Sequence, residues 1–426
     1  MSEDLDIARK DLLAACGEVS EAGAAETAAG TDLAGEAGGP AFVAMPGSTV
    51  EAAAVMRVAA DHDLAVGVRG GGSRLDWGIP AARCDVVVDT SRMSAVVEHA
   101  AGDLVARLQA GARMGDVAAV LARAGQEIAL DVPGDASVGG VVASGLAGPR
   151  RLRYGTPRDL LIGITIVRAD GTVAKSGGKV VKNVAGYDLG KLFAGSAGTL
   201  GLITEATFRL HPLPSARAYV TAEYVAVTVA CDAVAAAANS PLVSSAVELT
   251  RPEPGGPIRV GVLLEGSPDG VQARSMRMAD LLGKADVAAD PPAWWPGAPR
   301  AGAGETLIRV SFWVSALPRV LDAIEATAAK AGVSTAIEGS AGAGVLYLRA
   351  DAGAQALAEF VAVLRGTVAG ERGAVAVLAA PAAVRDALAD RGGMSGPVPG
   401  LALMRAVKDQ FDPGHRLAPG RFPETL

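Results

Sequence analysis

The hydrophobic positions near the start of the chain alternate between strand-like runs and a helical repeat. Residues 41–46, 64–69 and 85–89 are short apolar runs, as expected of strands buried in a sheet. Between the first two runs, Ser48 and Glu51 form a capping box that opens a segment with an apolar residue at every fourth position. These apolar residues are Val50, Ala54 and Val58. The pattern predicts the order strand, helix, strand, loop, strand.

A second group of elements follows. An apolar run at 104–110 predicts a strand, and the next apolar residues recur at three and four positions up to Gly125, which predicts a helix with a left-handed cap. Asp170-Gly171 lies between two apolar runs and predicts a hairpin. Residues 202–210 alternate between apolar and polar, so one face of that strand is buried. These elements predict a second α+β lobe.

From about residue 215 the chain repeats strand, helix and strand, which predicts an antiparallel sheet with helices. The residues 411–422, rich in Pro and Gly, predict a coil, and no internal repeat is evident. The predicted segments are a helix with a flexible linker at 1–40, a first domain at 41–214 with lobes 41–92 and 93–214, an α+β domain at 215–370 and a C-terminal segment at 371–426 that packs back on the first domain.

Composition and charge narrow the class of protein. Half of the residues are hydrophobic but only 4% are aromatic, so the core is built from small aliphatic side chains. The net charge of -7 argues against nucleic acid as a partner, since a phosphate backbone usually requires a basic face.

The cysteines and the hydropathy of the chain predict a soluble, cytoplasmic protein. Cys16, Cys84 and Cys231 are far apart, so we expect neither a disulfide framework nor the four thiolates of an iron-sulfur cluster. The first 19 residues lack the basic and apolar regions of a secretory signal. The longest apolar window, 219–238, is interrupted by acidic residues and predicts no transmembrane span.

Three glycine-rich segments carry the candidate chemistry. Gly70, Gly71 and Gly72 follow a predicted strand, and their bare backbone suits an anion nest, although such a run also occurs in flexible turns. The segments at 131–145 and 186–201 are similarly poor in large side chains. Each could serve packing alone. Neither the P-loop nor the Rossmann glycine pattern is satisfied.

These segments together resemble a known family. The stretches VRGGGSRLDWG, DVPGDASVGGVVASGLAGPRRLRYGTPRDL and GGKVVKNVAGYDLGKLFAGSAGTLGLITEATFRLHPLP resemble the PCMH-type FAD-binding domain of vanillyl-alcohol-oxidase-type flavoproteins. The tags LDWG, KNVAGYDLGKLF and DQFDPGHRLAPGRF more narrowly resemble the FAD-binding subunits of glycolate oxidases, the GlcE type. The resemblance implies a two-lobed FAD-binding domain, then a ferredoxin-like α+β domain and a C-terminal coil that returns to the flavin domain.

The resemblance also implies which residues bind FAD. The first loop would wrap the diphosphate, the second segment would line the flavin, and the third would meet the cofactor and its adenine. The implied residues are Arg69, Gly70, Gly71, Gly72, Ser73, Arg74, Pro133, Gly134, Asp135, Ala136, Ser137, Val138, Gly139, Gly140, Ala143, Ser144, Gly186, Tyr187, Asp188, Gly198, Thr199, Gly201, Leu202 and Ile203. A covalent flavin is not expected, because Ser73 stands where covalent relatives have histidine and no cysteine lies between 85 and 230.

Catalytic residues remain unassigned. Related proteins that oxidise 2-hydroxy acids carry a histidine-rich site, with or without a metal, whereas this chain has no histidine between 212 and 414 and no HExxH motif, so no metal site is predicted. His415 is either a surface histidine or close to the flavin. Trp294 and Trp295 are either an anchor for a partner or a loop folded on its own core. The basic residues near the second and third segments either form a solvated face or guide a small anionic substrate. They are Arg150, Arg151, Arg153, Lys175, Lys179, Lys182 and Lys191.

The resemblance implies a FAD-binding oxidoreductase subunit that accepts and relays electrons in 2-hydroxy-acid oxidation. Its expected partners are a second, catalytic FAD-containing subunit and an iron-sulfur subunit, through which the complex could associate peripherally with a membrane. One alternative is a self-sufficient oxidase or dehydrogenase of a sugar, lactone or hydroxy acid. Another is a non-catalytic structural subunit that retains the fold without the cofactor.

Overall fold

The computed structural model of the chain describes residues 3–22, 39–178 and 188–421. The elements up to residue 213 are α1 (Glu3–Cys16), β1 (Val19–Glu21), β2 (Phe42–Ala44), α2 (Thr49–Asp61), β3 (Val66–Arg69), β4 (Val86–Asp89), β5 (Val96–Ala100), β6 (Val105–Gln109), α3 (Met114–Ala122), β7 (Gln126–Glu127), α4 (Val138–Ser144), α5 (Arg151–Tyr154), α6 (Pro157–Leu160), β8 (Leu161–Val167), β9 (Val173–Gly177), α7 (Gly190–Phe193), β10 (Leu202–Arg209) and β11 (His211–Pro212).

The remaining elements follow residue 213. They are β12 (Ala216–Tyr224), α8 (Val227–Asn239), β13 (Ala246–Arg251), β14 (Ile258–Gly266), α9 (Pro268–Leu282), β15 (Asp286–Ala288), β16 (Thr306–Ser311), α10 (Leu317–Ala331), β17 (Ser334–Gly339), β18 (Val345–Asp351), α11 (Ala354–Gly370), β19 (Ala374–Ala379), α12 (Ala382–Ala389) and α13 (Leu401–Phe411).

The chain forms two compact units. The first contains the described residues up to Leu146, Thr156–Leu213 and the segment from Val398, and the second contains Ala147–Gly155 and Pro214–Pro397. Among the described residues, no helix combines the length and apolar character that crossing a bilayer requires.

A four-stranded and a five-stranded sheet build the first unit. The smaller sheet has the order β1-β2-β4-β3, and β4 lies parallel to both β2 and β3. Helix α2 packs its small apolar face on this sheet, because Ala52, Val55 and Met56 recur on one side of the helix and are buried. The larger sheet, β5-β6-β10-β8-β9, is antiparallel throughout.

Helix α2 is present as predicted, but the apolar face predicted for it is not the buried one, because Val50 is exposed and Ala54 and Val58 are only partly buried. Ser48 caps α2 by accepting a hydrogen bond from the Glu51 amide at 3.2 Å. The predicted lobe boundary at 92/93 falls between β4 and β5. At the N-terminus, β1 pairs with β2 and was not predicted, while the predicted flexible linker lies mostly outside the described residues.

An antiparallel sheet of eight strands organises the second unit, in the order β15-β12-β14-β13-β17-β18-β16-β19. The first four strands and the last four each follow the connection β-α-β-β-α-β with the spatial order 4-1-3-2, which is the ferredoxin-like arrangement. The two halves join where β13 pairs antiparallel with β17. The second unit therefore repeats one topology twice.

This repeat corrects two expectations. The prediction of no internal repeat was wrong at the level of topology, because a pattern of alternating hydrophobic residues sets the face of a strand but not its neighbours. The predicted boundary between 370 and 371 was also wrong. Strand β19 pairs with β16 and buries Val375 and Val377, so the second unit continues to Pro397.

Candidate functional site

The first and second glycine segments meet in the first unit. The Gly71 amide donates a hydrogen bond to the Ser137 hydroxyl oxygen at 3.1 Å. A β-carbon on Gly71 would lie 2.6 Å from the Asp135 carbonyl oxygen, and one on Gly70 would overlap the Ser137 hydroxyl. Glycine is therefore required at Gly71 because the two backbones approach closely, and at Gly70 because the Ser137 side chain occupies the space.

Ser137 also organises the second segment. It is the N-cap of α4, and its hydroxyl oxygen accepts a second hydrogen bond from the Gly140 amide at 3.2 Å. The helix ends after seven residues at Gly145, whose φ of 65° is left-handed. The Ser144 hydroxyl donates to the Gly140 carbonyl oxygen at 2.7 Å, within the helix.

The third segment packs on the end of that helix. The Gly195 amide donates to the Val142 carbonyl oxygen at 2.9 Å, and the Ala197 amide donates to the Ala143 carbonyl oxygen at 2.8 Å. A β-carbon on Gly198 would lie 3.9 Å from the β-carbon of Val68, at the end of the strand that precedes the first loop. The three glycine segments, distant in sequence, thus converge around α4.

The predicted arginines of the first loop have local partners. The Arg69 side chain forms an ion pair with Asp89 at 2.7 Å, across the neighbouring strands β3 and β4. The Arg74 guanidinium lies over the Trp77 ring, 5.1 Å from its centroid, and also donates to the Ser73 carbonyl oxygen. These contacts hold the loop, and the exposed Gly72, with a φ of 73°, leaves its backbone open.

The predicted residues of the third segment differ in their surroundings. Gly186 and Tyr187 lie outside the described residues. Asp188 is exposed and pairs with Lys191 at 3.2 Å. Leu202 and Ile203 are buried in β10 as part of the core, and a β-carbon on Gly201 would lie 3.0 Å from the Phe193 ring. The side chains at 202 and 203 therefore serve packing, and their backbone pairs with Val167 and Ile166 of β8.

Sequence reasoning missed two residues that shape the site. Arg113, the N-cap residue of α3, donates to the Asp135 carbonyl oxygen of the second segment. Lys408 donates to the Thr199 carbonyl oxygen of the third segment at 2.7 Å. Neither residue belongs to a motif, because both act on backbone carbonyls that are distant in sequence.

The basic residues near the second segment are engaged within the second unit. The buried carboxylate of Glu265 accepts hydrogen bonds from Arg217 at 3.0 Å and from the Tyr154 hydroxyl at 3.1 Å, and Arg150 lies 3.5 Å away. Burial raises the pKa of Tyr154, and the neighbouring Glu265 raises it further. Arg151 donates to the Tyr347 hydroxyl at 3.0 Å. Lys175 and Lys191 are exposed, and the predicted Lys179 and Lys182 lie outside the described residues.

The structure shows the surroundings of Trp294, Trp295 and His415, for which the sequence left two roles open. The Trp295 ring packs edge-on against Tyr219 at a centroid distance of 4.9 Å, and both Trp294 and Trp295 cover Gly261, so this loop folds on its own core. His415 is exposed and lies 2.9 Å from the Asp409 carboxylate. Its position is that of a surface histidine. Within the described part of the chain, no three His, Cys, Asp or Glu side chains are grouped as a metal site.

The exposed backbone of the first and second glycine segments, together with α4, forms what we call the glycine cradle. Its bare backbone suits a dinucleotide with a diphosphate. Small or absent side chains at Gly72, Gly134 and Gly140 leave backbone exposed on the first and second segments. Ala143 and Ser144 add two more partly exposed small residues along α4. Backbone amides on such bare loops bind anions, and small side chains admit a flat ring.

The comparisons with known proteins agree with this chemistry. Residues 40–177 match the family described as an FAD binding domain. The matched residues include the first and second glycine segments. The glycolate oxidase subunit GlcD of Bacillus subtilis is 33% identical over 201 residues, which are 46% of this chain and 42% of that protein. The mitochondrial D-lactate dehydrogenase (cytochrome) 1 of Saccharomyces cerevisiae is 34% identical over 217 residues, 50% of this chain and 36% of that protein. The chain thus spans about two fifths of the length of these curated relatives.

Solved structures extend the likeness over nearly the whole chain. p-Cresol methylhydroxylase with substrate bound has a TM-score of 0.75 at 16% identity, covering 99% of this chain and 97% of that one. The 4-ethylphenol oxidase from Gulosibacter chungangensis has a TM-score of 0.71 at 15% identity, covering 99% of this chain and 97% of that one. At this identity the likeness establishes the fold. Residues 40–177 therefore form an FAD binding domain, in a chain whose fold is that of p-cresol methylhydroxylase, and the cofactor is FAD.

Proposed function

We propose that this chain is the FAD-binding subunit of a 2-hydroxy-acid oxidase or dehydrogenase complex of the glycolate oxidase type. The observation that carries the proposal is the convergence of three glycine segments around α4 in the first unit. Relatives named as a glycolate oxidase subunit and as D-lactate dehydrogenases support the substrate class. This chain covers less than half of the length of each relative, so the activity of the whole protein is part of the proposal.

The residues of the cradle have separate roles in this proposal. The open backbone of Gly72 and Gly134 binds the diphosphate, while Ala143 and Ser144 line the flavin without crowding it. Ser137 uses its hydroxyl to fix Gly71 relative to Gly140, so both loops are held in place before FAD arrives. Bound FAD supplies a two-electron acceptor that can also release electrons singly.

We assign oxidation of the hydroxy acid itself to a second, catalytic FAD-containing subunit. The sequence offers no histidine between 212 and 414 that could act as the base. Conversion of a 2-hydroxy acid to the 2-oxo acid releases two electrons and two protons. In the proposed complex the glycine segments of this chain would hold the FAD that serves as acceptor for these electrons, and an iron-sulfur subunit would be the next carrier.

The proposal is tested on the purified full chain and on the complex. The chain should be yellow, and the flavin released from it should be FAD by chromatography. Under anaerobic conditions glycolate or D-lactate should bleach the flavin of the co-purified complex but not that of the isolated chain. Bleaching of the isolated chain would instead make it a self-sufficient dehydrogenase. A folded chain that is colourless and binds no added FAD would leave only a structural role and overturn the proposal.

A further inference from the structure

Lys408 is a fully buried lysine near the C-terminus of the first unit. The side chain is 2% exposed, and its ammonium group donates to the Thr199 carbonyl oxygen at 2.7 Å, to the Asp412 carboxylate at 2.6 Å and to the Leu417 carbonyl oxygen at 3.0 Å. An ammonium group has three donors, and all three are used. A buried charge this completely satisfied is tied to one geometry of its acceptors.

Asp412 completes the arrangement on the other side. Its carboxylate is fully buried and accepts hydrogen bonds from the amides of Leu417 at 2.8 Å and Arg416 at 3.1 Å. The ion pair therefore folds the coil after α13 into a fixed turn. Phe411, at the end of α13, packs edge-on against Phe193, which lies just before the glycines of the third segment.

The turned coil then reaches the first glycine loop. The Ala418 amide donates to the Val66 carbonyl oxygen at 2.9 Å, at the start of the strand that leads into Gly70. Arg421 is buried and donates to the carbonyl oxygens of Leu75 at 2.6 Å and Trp77 at 3.1 Å, on the far side of the same loop. One segment thus holds both flanks of the first loop and the backbone of the third.

We propose that residues 408–421 form a C-terminal clasp that positions the first and third glycine segments for FAD, with Lys408 and Arg421 as its positioning residues. The clasp does not touch the cofactor in this proposal. It sets FAD affinity by fixing the Thr199 and Leu75–Trp77 backbones before the cofactor binds. The inference rests on the proposed function only in that the chain binds FAD.

The first test replaces the ion pair by neutral side chains of similar size, in the full chain. Lys408→Met with Asp412→Asn removes both charges, so no uncompensated charge is buried, and the single side-chain amide oxygen introduced at position 412 still accepts from one of the two coil amides. Because the charged hydrogen bond to Thr199 is lost, the dissociation constant for FAD should rise about tenfold or more, measured at a temperature at which circular dichroism shows both FAD-free proteins to be folded. The matched control is Glu223→Gln, which neutralises an exposed carboxylate of the second unit, paired with Arg259 at 3.2 Å and outside the clasp, and should leave FAD affinity unchanged.

The second test addresses the other end of the clasp. Arg421→Met removes the donors to Leu75 and Trp77, and Arg421→Lys restores one of them. FAD affinity should fall in the Met variant and recover in part in the Lys variant, as measured by flavin fluorescence during titration of FAD-free protein. If FAD affinity recovers in Arg421→Lys, the loss in Arg421→Met comes from the missing hydrogen-bond donor and not from a general loss of stability. This pair decides the question if the double variant at 408 and 412 does not fold.

The outcomes separate this inference from the proposed function. If the wild-type chain fails to bind FAD, the proposed function fails. If the wild-type chain binds FAD and the folded clasp variants bind it equally well, only the clasp is overturned. If FAD affinity falls strictly in proportion to the unfolding temperature and Arg421→Lys behaves like Arg421→Met, the segment is merely structural and the inference is also overturned.

Discussion

The Ser137 hydroxyl oxygen lies 3.1 Å from the Gly71 amide nitrogen, although the two residues are 66 positions apart along the chain. The same oxygen accepts from the Gly140 amide, so one hydroxyl joins the first glycine loop to the start of α4. A single side chain therefore sets the distance between two of the segments that we propose bind FAD.

Replacing Ser137 with Ala should weaken both stability and cofactor binding. The amides of Gly71 and Gly140 lose their acceptor, so the free energy of unfolding should fall by about 1–2 kcal/mol and the FAD dissociation constant should rise. Chemical denaturation and FAD titration measure the two effects. Ser48→Ala is the matched control, because Ser48 caps α2 in the same way. That variant should lose similar stability and keep its FAD affinity; equal losses of affinity in both variants would contradict the role of Ser137.

Gly71→Ala should disrupt the cradle more strongly than a glycine substitution elsewhere. The added β-carbon would lie 2.6 Å from the Asp135 carbonyl oxygen and 3.1 Å from the Ser137 amide, so backbone must move. Overpacking of this kind costs about 1–3 kcal/mol, and FAD binding should be lost with it. Gly102→Ala is the control, since no atom lies within 4 Å of a β-carbon there. Retention of full FAD affinity by Gly71→Ala would show that the first loop adapts freely.

Local patterns predicted the elements that position these residues. The four-residue repeat after Ser48 indicated α2, and the apolar runs indicated β3 and β4, because each of these signals acts within one turn or one strand. The glycine segments were recognisable because small residues are rare in such density. Their convergence follows from hydrogen bonds such as Gly195 to Val142, which no local pattern encodes.

The clasp and the doubled sheet could not be predicted for the same reason. Lys408 and Asp412 are four residues apart on the chain, a spacing that usually indicates a solvated ion pair on a helix surface. Only the carbonyl oxygens of Thr199 and Leu417 make burial of this lysine possible. Likewise, the pairing of β13 with β17 depends on which strand edges remain free after each half has folded.

The flavin should be released completely when the protein is precipitated with acid. Covalent attachment needs a nucleophilic side chain beside the ring, and Ser73 follows the glycine run where a histidine would be needed. The described His62 and His99 are engaged with Asp11 and Gln126, each at 2.9 Å. All yellow colour should therefore appear in the supernatant and none in the pellet. Flavin fluorescence that stays with the denatured polypeptide on a gel would contradict this expectation.

The cysteines should be nearly inert in the folded protein. Burial raises the pKa of both Cys84 and Cys231 to about 11, and it also raises the pKa of Cys16. At pH 8 about one Cys84 or Cys231 side chain in a thousand would be a thiolate, the reactive form. A thiol reagent should thus label the native chain very slowly and label three groups after denaturation. Rapid labelling of one native cysteine would indicate local opening around that residue.

Glu338 should make the second unit less stable as the pH rises. Burial raises the pKa of this carboxyl group above its ordinary value of 4.5; Arg349 opposes the shift and Glu305 adds to it. The folded state therefore holds the proton to higher pH than the unfolded state, so the stability contributed by neutral Glu338 is complete below pH 4.5 and is lost as the pH rises through the raised pKa. Glu338→Gln mimics the neutral acid and should be increasingly more stable than wild type over that range, with a constant difference above it.

Denaturation at a series of pH values measures this difference, and Glu253→Gln, at an exposed position of the same unit, should show none. A difference between Glu338→Gln and wild type that does not change with pH would mean that the substitution acts through packing rather than through the proton.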